Sequence, residues 1–166
     1  MVTPGTKCFD IGGRDGYDAL MAAKMSRERV VSFECEHDAA EDMRRTFAQN
    51  SRLSIEVVEA YVGAENSPGH ITIDRASREL FAPGFIKIDI EGAEDVALEH
   101  AAETLATHRP KLIIEVHGAD KEERCKATLR QFGYNIVIVD QGKFLKDPAR
   151  RGYNRWLAAY PAAASA

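Results

Sequence analysis

The sequence predicts one domain of the α/β class, a mostly parallel sheet with helices on both faces. Three observations predict it. Short apolar strands alternate with amphipathic helical segments along most of the chain, and such repetition folds with right-handed crossovers into a parallel sheet. Two strand ends, Phe9-Asp10-Ile11-Gly12-Gly13-Arg14-Asp15-Gly16 and Ile86-Lys87-Ile88-Asp89-Ile90-Glu91-Gly92-Ala93-Glu94, run into glycines or carboxylates and then into helices. Ligands bind at such strand ends in open α/β sheets. A length of 166 residues suits one hydrophobic core, so residues 1–160 are expected to form the domain and 161–166 a disordered tail.

The elements follow in order. Lys7–Ile11 reads as a buried strand and Gly16–Met25 as a helix, with Leu20, Ala23 and Lys24 at helical spacing. Val30–Glu34 is the second strand. Asp38 is the expected N-cap of the next helix, with Glu41 as its capping-box partner and Ala40, Met43 and Phe47 on its apolar face. Ile55–Val58 is the third strand, and Asn66-Ser67-Pro68-Gly69 a turn. His70–Ile73 is expected as a short edge strand and Asp74–Leu80 as a helical piece. Phe85–Ile90 is the fourth strand. Its helix carries Leu98, Ala101, Ala102 and Leu105 as one stripe and is stopped by Pro110. Lys111–His117 is the fifth strand. Asp120 and Glu123 form an expected capping pair for a helix with Cys125, Leu129 and Phe132 on its apolar face, ended by Gly133. Tyr134–Val139 and Arg155–Tyr160 lack a helix between them and are expected to pair as a hairpin.

Composition narrows the function. Hydrophobic residues make up 45% and charged residues 29%, the balance of a soluble globular protein. A net charge of −4 gives no general affinity for nucleic acid, and no apolar run approaches the length of a membrane span. Cys8, Cys35 and Cys125 are scattered, without CxxC spacing, which argues against a zinc site or a disulfide framework. With no apolar signal segment before the first strand, a reduced, cytoplasmic setting is expected.

Gly12, Gly13 and Gly16 allow a tight turn and close backbone approach to a ligand. Their spacing is not the GxGxxG of a dinucleotide pyrophosphate, and Asp10 at the strand end would repel one. Glu34, at the end of the second strand, stands where a carboxylate accepts both hydroxyls of a ribose. A nucleoside carrying positive groups fits this set better than NAD; S-adenosylmethionine is such a ligand.

These residues, with Val31-Ser32-Phe33-Glu34 and Arg109-Pro110-Lys111-Leu112-Ile113-Ile114-Glu115-Val116-His117, resemble the FkbM-type methyltransferases, a branch of the class I S-adenosylmethionine-dependent enzymes. The resemblance runs from Cys8 to about Tyr160. It implies a Rossmann-like three-layer sandwich with a seven-stranded sheet in the order 3-2-1-4-5-7-6 and an antiparallel last strand. It places Asp10, Gly12 and Gly16 near the methionine part of the cofactor, Glu34 on the ribose, and Glu59, Ala60 and Tyr61 near the adenine. Gly13, Cys35 and Asp89 complete the expected cofactor-binding set. The chain departs from the family's usual Ala-Asn at Gly13-Arg14, and from its usual Glu-Pro at Glu34-Cys35. Many members carry a longer N-terminal region that covers the acceptor, so a partner subunit or a second copy of the chain is an expected source of that cover.

Alternation along a strand puts Lys87 and Asp89 on one face of the fourth strand, and Glu115 and His117 on one face of the fifth. The expectation is that Lys87 pairs with Glu115 and that Asp89 approaches His117. Asp89, Glu91 and His117 are the candidates for catalysis: methyl transfer to a hydroxyl needs near-attack geometry and a base. Glu94 and Asp95 read as helix N-terminal charges. A divalent metal on Asp89, Glu91 and His117 is chemically feasible but has no tight ligand spacing behind it, so no metal is assigned. The segment Gln141–Arg155 carries Lys143, Lys146, Arg150, Arg151 and Arg155 against Asp147, a charge suited to recruiting an acidic acceptor such as a phosphorylated or carboxylated sugar. The reading is therefore an S-adenosylmethionine-dependent methyltransferase acting on a hydroxyl of a sugar or small metabolite. Its alternatives are a non-catalytic nucleoside- or protein-binding module on the same fold and, against the glycine spacing, an NAD-dependent oxidoreductase.

Overall fold

The structure, a computed structural model, describes residues 1–140 and 155–163. Its main sheet has seven strands: β1 (Cys8–Ile11), β2 (Val30–Glu34), β3 (Ile55–Glu59), β6 (Phe85–Ile88), β7 (Lys111–Val116), β8 (Tyr134–Asp140) and β9 (Arg155–Pro161). The order across the sheet is β3-β2-β1-β6-β7-β9-β8. Two further short strands, β4 (Tyr61–Val62) and β5 (His70–Ile71), pair in parallel as a separate ribbon. Setting that ribbon aside, the order is the expected 3-2-1-4-5-7-6. β9 runs antiparallel to both of its neighbours.

Each face of the sheet has its own core. On one face, Cys8, Val30 and Phe85 meet α1 (Tyr17–Ser26) and α2 (His37–Ala48) through Ala19, Met43 and Phe47. On the other, Phe9, Ile11, Ile86, Ile88 and Ile114 meet α3 (Ile73–Glu79), α4 (Glu94–Glu99) and α5 (Ala119–Gln131). The strands carry apolar residues on both sides because both sides are covered. Among the described residues no helix is long and apolar enough to cross a membrane.

Several local expectations are corrected. α2 starts at His37 behind Glu36, and no side chain caps it, so Asp38 lies in its first turn. α5 starts at Ala119 behind Gly118, again without a side-chain cap, and Asp120 instead meets Arg124 four residues on. His70 and Ile71 pair with Tyr61 and Val62, not with the edge of the main sheet. The long helix expected after β6 is split into α4 and a π-helical turn, Thr104–His108. Asp74 of α3 causes the second start, accepting from the backbone N–H of Glu103 at 3.0 Å and of Thr104 at 2.8 Å. Leu98, Ala101 and Leu105 are buried as expected, while Ala102 is exposed. Pro161, assigned to the tail, pairs with Tyr134 within the sheet.

Candidate cofactor and acceptor site

A cavity of about 510 Å³ opens at the carboxyl ends of β1, β2 and β6. These ends converge because β1 is hydrogen-bonded to β2 on one side and to β6 on the other. Seven of the residues assigned from sequence line it: Gly12, Glu34, Cys35, Ala60, Tyr61, Asp89 and Glu91. Arg14, Glu36 and Ile90 also line it and were not foreseen.

The glycine loop is shaped by contact with its own neighbours. Gly12 has φ +83°, and a Cβ there would lie 1.9 Å from the carbonyl oxygen of Asp89. Only glycine lets the β1 and β6 ends approach so closely. Gly13 sits against Ser32 and Met43, and Gly16 against the Phe47 ring, so both serve the packing of the loop onto α2 and do not line the cavity. Arg14, where the family usually has Asn, adopts φ 47°, a left-handed conformation that costs a non-glycine residue about 1–2 kcal/mol.

That conformation turns the Arg14 backbone N–H toward Glu34. It donates to Oε2 at 2.9 Å, and the N–H of Glu36 donates to Oε1 at 2.9 Å. The Glu34 carboxylate is thereby fixed at the cavity wall. An ionised carboxylate has about four lone-pair sites, so each oxygen keeps capacity for a further donor. Glu59, next in the chain to the cavity-lining Ala60, accepts from Arg44 and meets His37. Its hydrogen bond and charge raise the His37 pKa, and His37 with Arg44 lowers that of Glu59.

Asp10 lies beneath the loop, only 2% exposed. In the parallel register it stands between Ser32 and Lys87. It accepts from Ser32 Oγ at 2.7 Å and faces Lys87 Nζ at 3.2 Å. Burial pushes its carboxyl up, opposed by the Lys87 charge and the Ser32 hydrogen bond. Its side chain supports the loop from below and is not part of the cavity wall.

The expected Lys87–Glu115 pair is not made. Register places Lys87 beside Ile113, with Glu115 one pleat farther along the same face. Lys87 instead donates to the Gly12 carbonyl at 2.7 Å and faces Asp10, Asp18 and Asp89 at 3.2, 3.5 and 3.7 Å. Burial alone would lower its pKa; the three carboxylates outweigh burial and hold it above the ordinary lysine value.

Asp89 and His117 do approach, with Oδ1 and Nε2 at 3.9 Å. Asp89, Glu115 and His117 each offer a ligand atom, and these lie within 4.8 Å of one another. The carboxylate that joins Asp89 and His117 in this cluster is Glu115, not Glu91. Glu94, read from sequence as a helix-terminal charge, is fully buried and hydrogen-bonded to His117 Nδ1. Its place inside the Lys87–Glu94 motif was the only sequence signal for it. Asp95 keeps a structural role, paired with Lys121 and Arg124. Lys143, Lys146, Asp147, Arg150 and Arg151 lie outside the described residues; Arg155 faces Glu122 of α5 at 3.6 Å.

Comparison with known proteins meets this geometry. Residues 67–145 match the family model of the methyltransferase FkbM domain. The resemblance read from the motifs holds. The matched stretch contains the Lys87–Glu94 and Glu115–His117 segments, while the glycine loop and Glu34 precede it. No curated protein matches. Among solved structures, methyltransferase FkbM from Methylobacillus flagellatus superposes with a TM-score of 0.76 at 22% identity, covering 95% of this chain and 44% of that one. The chain thus spans less than half the length of that protein. Precorrin-6y C5,15-methyltransferase from Geobacter metallireducens gives 0.70 at 12% identity over 97% and 82%. Aeropyrum pernix fibrillarin, solved with natively bound S-adenosyl-L-methionine, gives 0.69 at 14% over 95% and 67%. At these identities the likeness is one of fold: the Rossmann-like fold of S-adenosylmethionine-dependent methyltransferases.

Proposed function

We propose that this chain is an S-adenosylmethionine-dependent methyltransferase that methylates a hydroxyl of a sugar or small metabolite. The observation that carries the reading is Glu34, a carboxylate held by two backbone N–H groups at the wall of the strand-end cavity. In this reading its free lone pairs accept the ribose hydroxyls. Gly12 admits the ligand close to the backbone. Cys35, Ala60 and Tyr61 flank the adenine, and Asp89 faces the positively charged methionine end. Asp10, Gly13 and Gly16 act by building the loop.

The cofactor, when bound, supplies an electrophilic methyl group. The chain's residues orient the acceptor and take its proton. His117 Nε2 and Asp89 Oδ1, 3.9 Å apart, are spaced so that one hydroxyl oxygen sits within hydrogen-bond reach of both. His117 would take the hydroxyl proton at Nε2 as the acceptor oxygen is methylated, with Asp89 holding that hydroxyl in place. Glu91, exposed on the cavity wall, is placed to touch the acceptor. An acidic acceptor recruited by the basic Gln141–Arg155 segment, cytoplasmic action, and cover from a second copy or a partner subunit belong to the same proposal. No metal is assigned to it.

The test is calorimetric titration with S-adenosylmethionine and its demethylated product, on the native chain and on Glu34→Ala. Binding to the native chain is expected to weaken roughly 100–10,000-fold in the variant, the worth of about two charge-assisted hydrogen bonds. Native binding of NAD in preference to either ligand, or equal binding by the variant, overturns the assignment. Tight binding with no turnover over a panel of hydroxyl acceptors would favour the non-catalytic module.

A further inference from the structure

We propose that Glu94 is a positioning residue that sets the tautomer of His117 so that Nε2 is the proton acceptor of the site. The inference rests on the methyl-transfer reading for its purpose, but its geometry stands on its own.

Glu94 opens α4 at the end of the Asp89–Ala93 loop, and its side chain is fully buried. Oε1 meets His117 Nδ1 and accepts from the backbone N–H of Gly92 at 3.3 Å. Oε2 has no hydrogen-bond partner among the described residues. The charged groups around the pair are Asp89 from the β6 end, Glu115 from β7, and Asp95 with Lys121 beside α5. On α5 itself the Cys125 thiol is pushed to about 12, chiefly by burial and then by the negative charge of Glu94.

A neutral imidazole carries one N–H and one lone pair, and an ionised carboxylate can only accept. With Glu94 on Nδ1, the proton must reside on Nδ1 and the lone pair on Nε2. That lone pair lies on the side of Asp89, whose Oδ1 is 3.9 Å from Nε2 and which lines the cavity. The ring is anchored at Nδ1 by the buried Glu94, and the His117 side chain is partly exposed. When Nε2 takes the proton from the acceptor hydroxyl, the imidazolium lies between two carboxylates, Glu94 at Nδ1 and Asp89 near Nε2. Both stabilise the charge that forms, and neither changes its own protonation. In histidine–carboxylate pairs of this kind the carboxylate orients the ring without accepting the proton for itself.

The test is long-range proton–nitrogen correlation spectroscopy of the full chain with nitrogen-15 histidine, recorded over a series of alkaline pH values until the His117 pattern is that of a neutral ring. The chain has five histidines, and His117 is assigned by its loss in His117→Gln. The expected native spectrum shows His117 protonated at Nδ1 and bare at Nε2. Glu94→Leu is expected to move the proton to Nε2, the form that imidazole favours in water. Should that variant fail to fold, Glu94→Gln keeps an acceptor at Nδ1 and should retain the tautomer, with the Nδ1 proton shifted upfield. A native ring protonated at Nε2, or an Nδ1 resonance unchanged in both variants, overturns the proposal. So does selective loss of the His117 Nε2 signal with stoichiometric Mn²⁺, which would make that nitrogen a ligand of the Asp89–Glu115–His117 cluster and not a base. The native spectrum reads the tautomer with or without cofactor, so failure here is separable from a failure of the chain to bind S-adenosylmethionine.

Discussion

Replacing Lys87 by methionine removes the cation on which three carboxylates converge. The four-carbon stem is largely kept by the methionine side chain, so the loss is mainly electrostatic. Lys87 and Asp10 are 7% and 3% exposed in their side chains and lie 3.2 Å apart. Asp89 and Asp18 are partly in water and contribute less. Removing one member of a buried pair costs about 3–5 kcal/mol, because the partner's charge is left uncompensated. The hydrogen bond to the Gly12 carbonyl at 2.7 Å is lost as well. With a urea slope of about 2–3 kcal/mol/M, the unfolding midpoint should fall by about 1–2 M. The loss should also depend on pH in a definite sense. Burial already holds the folded-state pKa of Asp10 above its ordinary value, so folding takes up a proton and gains stability as pH falls through that pKa. Without the ammonium the pKa rises further. The deficit of Lys87→Met is then full where Asp10 is ionised, and shrinks as the pH drops and Asp10 becomes neutral. Asp10→Asn in the same chain should recover much of the deficit at neutral pH. Urea unfolding of the native chain, the single variant and the double variant at several pH values tests all three points. A loss under about 1 kcal/mol, no pH dependence, or no recovery in the double variant would refute the reasoning.

Gly12→Ala should abolish binding of S-adenosylmethionine in a calorimetric titration, since its Cβ would meet the Asp89 carbonyl at 1.9 Å and the backbone cannot relax at φ +83°; an unchanged binding constant would refute the close approach of the two strand ends. His37 should titrate above its ordinary value in the native chain and fall back in Glu59→Gln, followed by proton magnetic resonance. Any stability from that raised pKa is present below the ordinary histidine value and is lost as pH rises through the raised one. A thiol reagent near neutral pH should modify Cys35 first, because Cys8 and Cys125 are buried with pKa values pushed to about 12. Saturating S-adenosylmethionine should slow the Cys35 reaction, since Cys35 lines the cavity.

Strand and helix alternation was legible because the period of apolar residues reports which faces will be covered. Val30–Glu34 and the β6 and β7 runs read directly as strands for that reason. The spacings at Asp38 and Asp120 do not mark caps because a capping-box spacing recurs inside helices, where Asp120 meets Arg124 and Glu41 meets Arg44 on the helix surface. The break between α4 and the π-helical turn was invisible locally, since Asp74, which caps it, is about thirty residues away.

By itself the sequence determined the α/β class, the two strand ends that carry the site, and the residue types gathered there. It did so because burial period, glycine turns and strand-end carboxylates are local properties of a chain. Partners were decided only in three dimensions. Lys87 meets Asp10 and not Glu115 because β6 lies between β1 and β7, and register sets an aspartate on one side of it and Ile113 on the other. Glu94 reaches His117 because α4 packs over β7. Such pairings depend on which strands become neighbours and by how many residues they slide, and neither is written in the spacing along any one of them.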